Sequence, residues 1–175
     1  MTKTTTEYFL NRSKEPKHAD ESHLAEAFVR ADRELGEQKI RLLDHLSAEK
    51  KSDGKVVPVF DSGVEDVLPD LERANKEAAA VNDNIHAYLN ALGDFDSVQA
   101  MTERMLRLKR TADNLDRDVA NLSKQAVTRG IERPQDDPAV MDAAVKRDRV
   151  VAESSAEVAD LQKRISRAKE IVEGY

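Results

Sequence analysis

The chain has 175 residues, of which 39% are hydrophobic, 35% charged and 4% aromatic. Its 34 acidic and 28 basic residues leave a net charge of −6, which opposes a phosphate-binding surface spread over the whole molecule. The absence of cysteine excludes disulfides, thiolate catalysis and cysteine-based zinc sites, while the low glycine and proline counts, 6 and 5, favour long helices.

Residues 1–20 are polar and contain Pro16, a composition expected of a flexible N-terminal arm. The one apolar cluster in it, Tyr8-Phe9-Leu10, is a candidate partner-binding element. Packing onto the chain's own body explains the same residues equally well.

From residue 21 the pattern changes. Leu24, Phe28, Ala31, Leu35, Leu42 and Leu46 step by threes and fours and predict a helix over about 21–47, with Gln38 in the one polar slot. Residues 48–61 read as a connection, marked by Ser52-Asp53-Gly54 and Pro58. Within it Val56, Val57, Val59 and Phe60 form a β-prone run. Val57, Val59 and Phe60 are candidates for adding a strand to a partner's sheet, although sealing the end of a bundle is the favoured reading.

The next three helices are expected over about 62–92, 96–129 and 138–173. Ser62 and Glu65 fit a capping box for the first of these, and Val64, Val67, Leu71, Ala74, Ala78, Val81, Ile85, Tyr88 and Leu92 form its stripe. Pro69 is discordant, and Gly93 suits the position just past the end. The following stripe runs from Val98 through Met101, Met105, Leu108, Ala112, Leu115, Val119 and Leu122 to Ala126, and Gly130 stops it. Asp137-Pro138 reads as an N-cap followed by proline in the first turn. The last stripe, from Val140 to Val172, has polar residues at Arg147 and Ser154.

Alternation of three and four is the half-heptad repeat of helices that wrap around one another. Apolar residues flanking the stripes, such as Leu43, Leu68 and Leu106, widen them beyond a two-stranded seam. The expectation is an all-α fold: an elongated, antiparallel up-down four-helix bundle over 21–175, behind the arm. In that register Gln38 and Arg147 share a polar core layer, with Asp118 or Glu72 to pair with the arginine. The alternative is that Arg147 reaches outward and its stem covers the core.

No phosphate-binding, dinucleotide-binding or nucleophile-elbow motif occurs. Glu15-Pro16-Lys17-His18 has the letters of a di-metal motif but lies in the arm, and Asp83 to His86 has only the spacing. The four histidines, His18, His23, His45 and His86, are expected at the surface. No cofactor, metal or catalytic residue is therefore expected. Arg104, Arg107, Lys109, Arg110, Arg117, Lys124 and Arg129 are the best case for a nucleic-acid surface, yet six acidic residues interleave with these seven over 94–130. Aromatic stacking residues are lacking among them, so nucleic acid is the minor reading. No stretch is apolar enough to span a bilayer, the N-terminus lacks a secretory apolar core, and a cytoplasmic location is the default. The function expected is non-enzymatic binding of another protein, as scaffold or adaptor, with homo-oligomers allowed by the repeat. A nucleic-acid-associated regulator is the alternative.

Overall fold

Apolar side chains recurring every three or four residues make a helix amphipathic and force it to pack, and most of this chain obeys that rule. A computed structural model describes residues 5–52 and 55–175. In chain order it contains α1 (Thr5–Arg12), a 3-10 turn (Pro16–Glu21), α2 (Ser22–Asp44), β1 (Leu46–Ser52) and β2 (Lys55–Phe60). These are followed by α3 (Val64–Leu92), α4 (Val98–Thr128), a second 3-10 turn (Pro134–Asp136) and α5 (Pro138–Glu173). The all-α class holds, but the described residues include five α-helices rather than four. No helix among them is long and apolar enough to cross a membrane. The chain divides into two compact units, residues 1–90 with 170–175, and residues 91–169.

In the first unit α2 and α3 run antiparallel, and their polar contacts show it. Glu21 meets Tyr88 at 3.0 Å, Glu34 meets Arg73 at 4.0 Å and Arg41 meets Asp70 at 3.6 Å, so partners advance along one helix as they retreat along the other. Leu24, Ala31, Val67, Ala74, Val81, Ile85 and Tyr88 of the expected stripes are buried. Of the flanking residues expected to widen the stripes, Leu43 and Leu68 are exposed, as is Leu106 in the second unit, while Leu89 and Val150 are half-buried.

Two features depart from expectation here. α2 stops at Asp44 because His45 leaves helical geometry and clasps Asp61, Nδ1 to Oδ1 at 2.8 Å, while the Asp61 amide donates to the His45 carbonyl at 3.0 Å. That clasp closes the base of a hairpin in which β1 pairs antiparallel with β2, Leu46 opposite Phe60 and Lys50 opposite Val57. Leu46, expected in the helix, thus belongs to a strand. The expected turn at Asp53-Gly54 lies outside the described residues. Asp61, rather than Ser62, also braces the start of α3, accepting from the Gly63 amide at 2.8 Å. The hydrogen bonds from His45 and Gly63 hold the Asp61 carboxyl below its ordinary range.

In the second unit α4 and α5 are likewise antiparallel. Arg104 makes a bidentate pair with Glu157, at 2.8 and 3.1 Å, and Arg147 reaches Asp116 at 3.5 Å. α5 starts with the cap expected at Asp137, whereas α4, expected to begin near residue 96, is capped by Ser97. Ser97 accepts from the Ala100 amide at 3.1 Å, and Asp137 accepts from the Ala139 amide at 2.9 Å. The seam is sealed near its ends, by Val98 and Met101, by Ala126 and Val140, and by Leu161, Ile165 and Ala168. Met105, Leu108, Leu115, Val119 and Leu122 between them are only half-buried.

Gly93 leaves α3 with φ +56°, and the space where its Cβ would stand is taken by the Arg164 guanidinium. Arg164 donates from Nε to the Ala91 carbonyl at 2.8 Å and from Nη2 to the Leu92 carbonyl, capping the helix end over the Phe95 ring. Gly93→Ala therefore adds left-handed strain and displaces this cap, an expected loss of about 1–2 kcal/mol in chemical denaturation. Gly36 lies inside α2 with nothing within 4 Å of an added Cβ, so Gly36→Ala is expected to stabilise by about 0.5–1 kcal/mol in the same assay.

Candidate functional site

The segment expected to be a flexible arm is folded from Thr5 onward. A helix of eight residues cannot hold itself together in water, so its stability must come from what it buries. Phe9 is fully buried and meets Tyr88 edge-to-face, with ring centroids 6.0 Å apart and planes at 74°. Thr6 donates to Asn82 Oδ1 at 2.9 Å. Arg12, one turn after Tyr8, is buried as well.

Arg12 centres a polar cluster inside the first unit. Its Nε and Nη2 donate to Glu21 Oε2 and Oε1 at 2.9 and 2.7 Å, a bidentate fork in which Glu21 has no exposed surface. The Tyr88 hydroxyl donates to Glu21 Oε1 at 3.0 Å. His18 Nδ1 lies 3.2 Å from both Arg12 Nη2 and Glu21 Oε1, so that one nitrogen either accepts from the arginine or donates to the carboxylate. Burial opposes the charge on Arg12, but Glu21 outweighs it and raises the guanidinium above its ordinary range. Burial, reinforced by Glu21, pushes the Tyr88 hydroxyl well above the usual phenol range. His18, expected at the surface, is buried because the Pro16–Glu21 turn folds it under α1.

With α1 pinned through Phe9 and Arg12, its other face borders α2 across a groove of about 520 Å³. The groove is lined by apolar Leu10, Ala25 and Val29, by cationic Lys14, Arg30 and Arg33, and by Ser13, Ser22 and the single carboxylate Glu26. Val29 is 57% exposed although it is β-branched and apolar. Arg33 lies 3.7 Å from Glu37 across open surface, a pair of little strength, and among the described residues Lys14 and Arg30 have no ionic partner.

The residues singled out in the sequence are divided by this geometry. Of the Tyr8-Phe9-Leu10 cluster, Phe9 belongs to the core, Tyr8 lies under the Arg12 guanidinium at 5.7 Å, and Leu10 lines the groove. Val57 and Val59 are exposed on β2, and Phe60 at its end is half-buried.

Gln38 and Arg147 fall in separate units, and each has partners of its own. Gln38 accepts from Arg41 on its own helix at 2.9 Å. Arg147 pairs with Asp148 at 2.7 Å and with Asp116, not with Asp118, which is exposed. Asp116 and Asp118 lie on different sides of α4, and only the first faces the arginine. Glu72 instead pairs with Lys76 at 2.9 Å.

Three of the seven basic residues of the α4 region are engaged: Arg104 by Glu157, Arg107 by Glu103 and Arg129 by Asp137. No group of three or more potential metal ligands is found among the described residues. No protein-family model matches the chain, and no curated protein or solved structure shows significant similarity to it.

Removing one member of a buried ion pair strands the other. Glu21→Ala is expected to cost about 3–5 kcal/mol in urea unfolding, whereas the double change Arg12→Met with Glu21→Leu costs much less. Equal losses for the two variants would contradict the placement of this pair in the core.

Proposed function

We propose that the protein is a non-enzymatic interaction module, a scaffold or adaptor that holds another protein in the groove between α1 and α2. The observation that supports it is the groove itself. Leu10 and Val29 present apolar surface that the chain leaves uncovered, on a concave wall made rigid by the buried Arg12–Glu21 fork behind it. Paired helices with an apolar trough between them suit the docking of a third helix. The nucleic-acid alternative has weaker support, because the basic residues of α4 are partly neutralised by their own neighbours.

Displaying random helical peptides and selecting on the purified protein tests this reading. Selected peptides should bind the native chain and lose about ten-fold or more in affinity to Val29→Asp, a change at an exposed side chain that leaves the core intact. A selection that yields only peptides indifferent to Val29→Asp and to Leu10→Ala would contradict it. Phe9 is unsuitable for such a test, since its removal opens the core.

A further inference from the structure

We infer that the occupant of the α1–α2 groove is an acidic amphipathic helix of a partner protein, an inference that rests on the docking reading above and adds the chemistry of the partner. The first argument is charge. The chain as a whole carries −6, yet this groove places Lys14 on one bank and Arg30 and Arg33 on the other, against Glu26 alone. A local inversion of sign around an apolar floor is complementary to a ligand with an apolar stripe flanked by carboxylates.

The second argument is shape. On α2 the lining residues recur as Ser22, Ala25, Val29 and Arg33, a stripe along one face that spans three turns, or about 16 Å. A concave trough along that stretch of α2, banked on its other side by Leu10 of α1 and by Ser13 and Lys14 just past the end of α1, fits a rod of about 11 residues presenting apolar side chains at helical spacing. A lipid surface is flat and would meet only the basic banks, leaving Ala25 and the foot of Val29 untouched. A nucleic-acid strand would find no aromatic ring among the lining residues on which to stack a base.

The test uses the full chain and three labelled helical peptides of about five turns that share one leucine face and differ only in carrying Glu, Gln or Lys on the other. Fluorescence anisotropy should show the Glu peptide binding about ten-fold tighter than the Gln peptide, with the Lys peptide weakest and the gap narrowing as salt rises past about 0.15 M. The triple variant Lys14→Glu, Arg30→Glu, Arg33→Glu alters only exposed side chains and should reverse the order of the Glu and Lys peptides, while circular dichroism confirms unchanged helix content.

Several results would overturn the inference. Equal binding of all three peptides, lost in Val29→Asp, would remove the acidic partner but keep the groove as a docking site. Binding by none of the three would also remove it, with the displayed-peptide selection then judging the groove itself. Capture by phosphatidylserine vesicles, lost in the triple variant without peptide binding, would make the occupant a lipid surface. Self-association abolished by Val29→Asp would make it a second copy of this chain.

Discussion

A buried arginine held by a buried glutamate is the constraint on which the N-terminal half of this protein depends. Either charge alone would be expelled from the interior, because moving an ion out of water costs more than α1 could return by packing one phenylalanine. Together, with the Tyr88 hydroxyl and His18 completing the donor and acceptor count, they can remain inside. The pair adds little net stability over an apolar equivalent. Its consequence is positional: only one placement of α1 brings Arg12 to Glu21, so the short helix has a fixed register against α2 and α3.

That fixed register turns an amphipathic helix into one bank of a groove. Phe9 and Arg12 face inward, and Leu10, with Lys14 just past the helix end, is left to line the groove together with Val29 and Arg30 of α2. The remainder of the molecule is built from antiparallel helix pairs tied by surface ion pairs and by well-formed caps. In the pair formed by α4 and α5 the mid-seam residues Met105, Leu108, Leu115, Val119 and Leu122 stay half-buried.

Long periodic stripes were legible from sequence, and so were the cap at Asp137, the helix stop at Gly93 and the chain reversal after Gly130. Each depends on residues within a turn of one another. The N-terminal helix was not legible, because eight residues hold too few repeats to reveal a period and Arg12 and Glu21 look like ordinary surface charges. Nothing in their spacing announces that a tyrosine far along the chain will join them. The β-hairpin was half legible: Val56 to Phe60 has the composition of a strand, but its partner, rich in lysine and glutamate, does not. The groove was legible only through Leu10, since it requires two helices that the sequence does not place side by side. Of the polar layer, the partner of Arg147 was misjudged: the arginine takes the carboxylates of Asp148 and Asp116 rather than that of Asp118.

The most direct test of this account is native-state hydrogen exchange at the amides of α1. Slow exchange from Phe9 to Arg12, comparable to the buried turns of α3 and lost on Glu21→Ala while α4 stays protected, is what the account predicts. Exchange of those amides at the rate of an unstructured peptide in the native protein would contradict it.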